Sequence, residues 1–168
     1  MDDSGKLDRL FVSVLGNRNS GKTHTWNTLF GATVRTGKYA RHLMLRPGEC
    51  VEVFLISGSN EERNQYAGDV LDDQACRIIL CSMQYTPAVS TTIDYVEKRG
   101  FATYAQWLNP GYSDPSAYSD HLGIFGRLLD MGTTGCKRSG KVAANPRVQE
   151  ISEFIYGWAA YRGLIFSC

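Results

Sequence analysis

Eight consecutive residues carry the clearest chemistry in this chain: Gly16-Asn17-Arg18-Asn19-Ser20-Gly21-Lys22-Thr23. Glycines on either side of a four-residue gap let the backbone curl so that successive N–H groups point inward, where they hold phosphate oxygens. A helix opening near Gly21 adds the positive end of its dipole. Lys22 is then placed to neutralise β- and γ-phosphates, and the Thr23 hydroxyl to ligate Mg²⁺. With His24 directly behind, the expected binding set is Gly16, Asn17, Arg18, Asn19, Ser20, Gly21, Lys22, Thr23 and His24.

This segment matches GxxxxGK[ST] at every fixed position, and its context is the one the chemistry needs. The apolar run Leu10 to Leu15 reads as a buried strand before it, and Thr23 to Phe30 as a helix after it, ended by Gly31. On these residues the chain resembles the P-loop NTPases. The resemblance implies a bound nucleoside triphosphate, ATP first and GTP as an alternative, together with Mg²⁺. The stretch GNRNSGKTHTWNTLFG also looks like the first motif of small GTPases, and the hairpin after it like that family's second and third strands. Departures follow. Ser57 stands where that family has a Mg²⁺-associated aspartate, Asn60 replaces a glycine, and the guanine-reading Asn-Lys-x-Asp gives way to Asn109-Pro110-Gly111-Tyr112.

A Walker B carboxylate is also missing, since Ile78-Ile79-Leu80 runs into Cys81-Ser82. P-loop kinases accommodate this, because several organise Mg²⁺ through the loop hydroxyl, water and phosphates. Such a kinase needs an acid to orient the acceptor hydroxyl and cations to gather charge on the moving phosphoryl group. Candidate acids lie just past strand ends: Glu61 and Glu62 after 50–57, and Asp114 after 101–108. The same residues also read as solvated surface acids. Candidate cations are Lys137, Arg138, Lys141 and Arg147, in the Gly-rich stretch TTGCKRSGKVAANPR. That stretch reads either as a loop that closes over phosphates or as a linker between helices. The expected catalytic group is therefore Lys22, Glu61, Asp114 and Arg138.

Aromatic residues gather between 101 and 118 (Phe101, Tyr104, Trp107, Tyr112, Tyr118), suited to stacking on a base or to core packing. The turn-rich NPGYSDPS, residues 109–116, suits an acceptor-binding lip. His24, His42 and His121 have no metal-ligand spacing.

The elements that must position these groups follow from patterning. Residues 40–45 and 50–57 flank Arg46-Pro47-Gly48-Glu49, which predicts an antiparallel hairpin. Residues 61–73 predict an exposed helix, 76–83 a buried strand, 90–99 a helix closed by Gly100, and 101–108 a strand. A helix is expected over 116–131. A last helix carries Val148, Ile151, Ile155 and Trp158 on one face, and a short strand is expected over 164–167. Strands alternating with helices predict one three-layer α/β domain, its sheet mostly parallel with one antiparallel hairpin strand.

The chain has 168 residues, enough for one such domain, and a formal net charge of +1, which excludes a global field directed at nucleic acid or membrane. Five cysteines without a CxxC pair predict free thiols in a reducing compartment, and the N-terminal residues are too polar for a leader or a span. A cytoplasmic protein without membrane partners is expected. The leading expectation is a Mg²⁺-ATP-dependent phosphotransferase acting on a hydroxyl of a small molecule, a nucleotide or a modified nucleic-acid base. A GTPase-like switch or assembly protein and a simple NTP hydrolase are the alternatives.

Overall fold

The computed structural model describes residues 8–61, 66–72 and 74–168. Along the chain run β1 (Leu10–Gly16), α1 (Lys22–Phe30), β2 (Arg41–Arg46), β3 (Glu49–Ile56), α2 (Ala67–Leu71), β4 (Ile78–Gln84) and α3 (Ser90–Lys98). They are followed by β5 (Ala102–Leu108), α4 (Ile124–Asp130), β6 (Thr134–Arg138), α5 (Asn145–Tyr161) and β7 (Phe166–Ser167). Among the described residues the strands form one sheet in the order β2-β3-β4-β1-β5-β6, with β7 beside β3. Strands β3, β4, β1, β5 and β6 are parallel, whereas β2 and β7 both run antiparallel to β3. This is the expected α/β architecture with its hairpin strand at the edge.

The pattern of β1 explains the layers. Alternate residues of a strand face opposite sides. Leu10, Val12 and Val14 join Trp26 of α1 with Ile151 and Ile155 of α5. Phe11 and Leu15 join Ile93 and Val96 of α3 and Leu128 of α4. Every residue of β1 is therefore buried, as a strand covered on both faces must be. Trp26 fixes α1 on the sheet: its fully buried indole donates to Ser82 Oγ of β4 at 2.8 Å. Ser82, where the sequence lacks a carboxylate, thus has a structural partner.

The hairpin turns on Pro47-Gly48, with Gly48 at φ 75°, the left-handed value that glycine supplies without strain. From β4 the chain crosses over β1 to β5, so the strand order reverses around β1. That reversal opens a crevice at the C-terminal end of β1.

Four expectations are corrected. The exposed helix over 61–73 is the five-residue α2, with Ala67, Gly68 and Leu71 buried; residues 62–65 and 73, Glu62 among them, lie outside the described residues. The helix over 116–131 is only α4, because Asn109 ties the backbone ahead of it at Tyr118. Its carboxamide donates to Tyr118 O at 2.7 Å and accepts from Tyr118 N at 2.9 Å. The basic stretch contains a strand, β6, which pairs with β5 and takes Lys137 and Arg138 out of the loop. Finally, Cys50 and Cys168 form a disulfide rather than remaining thiols. The pairing of β7 with β3 sets Phe166 opposite Cys50 and brings the two sulfurs together. Among the described residues, no helix is long and apolar enough to cross a membrane.

Candidate functional site

Three loops leave the C-terminal ends of adjacent strands: 16–21 after β1, 109–114 after β5 and 139–143 after β6. The first enters left-handed conformations at Asn19 (φ 59°) and Gly21 (φ 107°). Gly21 caps α1 with no side-chain hydrogen bond. The first-turn N–H groups have no intrahelical acceptors, and Gly21, Thr23 and His24 line the adjoining cleft. Lys22 is 6 % exposed. Its Nζ turns back to donate to Gly16 O at 3.1 Å and Asn17 O at 2.8 Å.

Close backbone approach locks the loops together. A Cβ on Gly140 would stand 2.4 Å from Ser20 O and 2.9 Å from Tyr112 N, and one on Gly111 would stand 2.5 Å from Ser20 Cβ. No larger residue fits either position without displacing backbone. Tyr112 N donates to Ser20 O (2.9 Å), Ser113 N to Asn19 O (3.2 Å) and Gly140 N to Pro110 O (2.7 Å). Beneath this junction lies Arg147 of α5, 3 % exposed. Its guanidinium donates to Thr25 Oγ1 at 3.3 Å and to Val142 O at 3.3 Å, while Nε has no partner. Burial pulls its pKa below the usual guanidinium value. Among the described residues no carboxylate pairs with it.

The cleft between the loops has a volume of about 780 Å³, within the range of small-molecule sites. Its cationic side chains are Arg18, Lys22 and Lys141, and Ser57 from the end of β3 reaches it. Among the described residues no Asp or Glu lines it. The expected residues Arg18 through His24 all line the cleft, whereas Gly16 and Asn17 sit behind it and offer their carbonyls to Lys22.

The expected catalytic acids do other work. Glu61 accepts from Gln84 N at 3.1 Å and from Thr92 Oγ1 at 2.8 Å, tying the exit of β4 to α3. Asp114 accepts from Gly111 N at 2.7 Å and from Asn17 Nδ2 at 3.2 Å, bracing one loop on the other. Neither lines the cleft. Arg138 is also elsewhere, paired with Glu150 of α5 at 2.9 Å; that bond first, against some burial, holds its pKa up. Lys137 lies over the Trp107 ring, 5.7 Å from its centroid. Of the four basic candidates only Lys141 lines the cleft, with Nζ donating to Tyr112 O at 3.1 Å.

Phe101, Tyr104 and Trp107 are core residues, and Tyr118 accepts from Trp107 Nε1 at 3.1 Å, so Tyr112 is the one member of that aromatic group at the cleft. Sequence reasoning missed Gly140, Val142 and Ala143 as cleft residues. Ser139-Gly140-Lys141 carried the signal: a glycine between polar residues marks close approach as well as flexibility. Asn60 is buried with both polar side-chain atoms unpartnered, and nothing among the described residues accounts for it. No group of three His, Cys, Asp or Glu side chains converges among the described residues. Set against known proteins, the chain matches no family model, no curated protein and no solved structure.

Proposed function

We propose that this chain is a P-loop-type protein that binds a nucleoside triphosphate with Mg²⁺ in the cleft and moves its γ-phosphoryl group. The observation that carries the reading is Arg147. A buried guanidinium without a counter-charge is costly. Arg147 stands behind the loop and outside the cleft lining, its Nη2 3.5 Å from where a Cβ on Gly21 would be. A polyphosphate seated on residues 16–23 would therefore offset that charge through space. The absence of acids from the described cleft lining serves the same end, because a carboxylate there repels phosphate.

On this reading the N–H groups of Gly21 and Thr23 and the Lys22 ammonium bind phosphate oxygens, Lys22 exchanging its bonds to the loop carbonyls for stronger, charge-assisted ones. Thr23 is an exposed residue of the cleft lining, and its hydroxyl suits a Mg²⁺ ligand. Phosphate oxygens and water would complete the shell, as this hard, oxygen-seeking ion accepts. Bound Mg²⁺ supplies charge neutralisation between the phosphates. Lys141, on the facing loop, adds positive charge beside the transferring group.

Two destinations for the phosphoryl group stay in view. A kinase needs an acid beside the acceptor hydroxyl, and Glu61 and Asp114 are both committed to holding loops. That commitment favours the second reading, a nucleotide-binding switch or assembly protein with slow hydrolysis. ATP is the first nucleotide to try, and GTP the second.

The test is calorimetric binding of ATP and GTP with Mg²⁺, run beside phosphate release with and without an acceptor set of small hydroxyl compounds, DNA and RNA. Lys22→Ala is expected to weaken binding by roughly 10- to 100-fold, the worth of charge-assisted hydrogen bonds. Unchanged affinity in that variant would remove the loop from the argument. Label transferred to an acceptor establishes the kinase; tight binding with little turnover establishes the switch.

A further inference from the structure

We propose that the Tyr112 ring is the seat of the nucleotide base, and that the site takes adenine and guanine alike. This deepens the nucleotide reading above and rests on it. Tyr112 is 68 % exposed, although its backbone is held on both sides: its N–H donates to Ser20 O and its carbonyl accepts from Lys141 Nζ. A large ring presented to solvent from a fixed main chain pays little ordering entropy when a flat ligand settles on it. It also lines the cleft one hydrogen bond from the glycine loop, within reach of a nucleotide whose phosphates lie on residues 16–23. Val142, 65 % exposed, and Ala143 line the same cleft, adding apolar groups to a lining that also carries cations and hydroxyls.

Base selectivity follows from what faces the ring. Guanine is told from adenine by an acceptor pair for its N1–H and exocyclic amine, best supplied by a carboxylate. Among the described residues the cleft contains none. Stacking reads the π-face, which every base has, and so tolerates either purine.

The experiment is calorimetric titration of the wild-type chain, Tyr112→Ala, Tyr112→Phe and Lys22→Ala with ATP, GTP and inorganic tripolyphosphate, each with Mg²⁺. Wild-type protein should bind ATP and GTP with similar affinity. Tyr112→Ala should weaken both by roughly 5- to 100-fold, the range of base–aromatic stacking. It should leave tripolyphosphate binding unchanged, and Tyr112→Phe should keep full affinity. Because the ring is exposed and the bonds are from the backbone, the alanine variant should melt with the wild type.

Wild-type ATP affinity in Tyr112→Ala, with Lys22→Ala losing both ligands, overturns the stacking role and leaves the nucleotide reading intact. Equal loss of ATP and tripolyphosphate in Tyr112→Ala overturns it too, since the ring would then act on the loop. A preference for GTP over ATP beyond about 100-fold, more than a stacking platform discriminates, overturns base tolerance. Failure of the wild-type chain to bind either ATP or tripolyphosphate removes the nucleotide reading and this proposal with it.

Discussion

At the scale of single residues, Arg147 and Gly140 test different things. Arg147 is buried with hydrogen bonds but no counter-ion among the described residues. Replacing an unpaired buried charge by an apolar residue of similar length relieves its desolvation, which outweighs the lost hydrogen bonds to Thr25 and Val142. Arg147→Met is therefore expected to melt at or above the wild-type temperature while binding ATP roughly tenfold more weakly, a loss of about 1.4 kcal/mol. Calorimetry and a melting curve on one preparation check both halves. A variant that loses stability without losing affinity would make Arg147 a structural residue alone. Gly140→Ala gives the opposite signature. Its Cβ meets a backbone oxygen and a backbone nitrogen, neither the end of a flexible side chain. Overpacking of this kind costs roughly 1–3 kcal/mol, and denaturant unfolding should register the loss.

At the scale of elements, the chain between β5 and α4 is held by side-chain bonds in place of regular structure. Asp120 accepts from Gly126 N at 2.8 Å and Phe125 N at 3.3 Å, so it caps α4 from outside, and it also accepts from the Tyr85 hydroxyl. Burial alone raises the Asp120 carboxyl, but the Tyr85 bond and the backbone donors outweigh it and leave the pKa below 3.8. On the other side of that bond, burial and then Asp120 push the Tyr85 hydroxyl up to about 12. A carboxylate with a depressed folded-state pKa stabilises the fold above its ordinary value, and that contribution fades as acid protonates it. Asp120→Asn should lower stability near neutral pH by about 1 kcal/mol, the usual worth of a helix cap. The gap from wild type should narrow as pH falls below 3.8, which acid titration of the melting midpoint would reveal. A gap independent of pH would show that the charge plays no part.

At the scale of the whole molecule, the disulfide joins the start of β3 to the last residue, 118 positions away. Only two residues of β7 pair with β3, so the bridge does much of the work of holding the end of the chain. Closing so long a loop restricts the unfolded chain, and removing such a bridge typically costs 2–4 kcal/mol. Reductant, or Cys168→Ser, should lower the melting midpoint, whereas reductant should leave the serine variant unmoved. The same bridge withdraws the thiol argument for a reducing compartment, since disulfides persist under oxidising conditions.

The geometry of the glycine loop was legible because it is local: strand, turn and helix occupy consecutive residues, with Lys22 at the helix start. The continuous apolar run of β1 likewise dictated burial on both faces, and with it the layered α/β architecture. The partners of that loop were not legible. Whether Glu61, Asp114 or Arg138 reaches the cleft depends on what each carboxylate or guanidinium meets first, and each meets a donor or acceptor from a distant segment: Gln84 and Thr92, Asn17, Glu150. Placing β5 beside β1 brought Tyr112 onto the loop, and placing β6 beside β5 turned two basic residues away and brought Gly140 and Lys141 to the cleft. Cys50 and Cys168 met for the same reason, through strand pairing that residue spacing does not encode. Local backbone chemistry is therefore written in the order of residues, while the walls of the cleft exist only once the sheet has set its strand order.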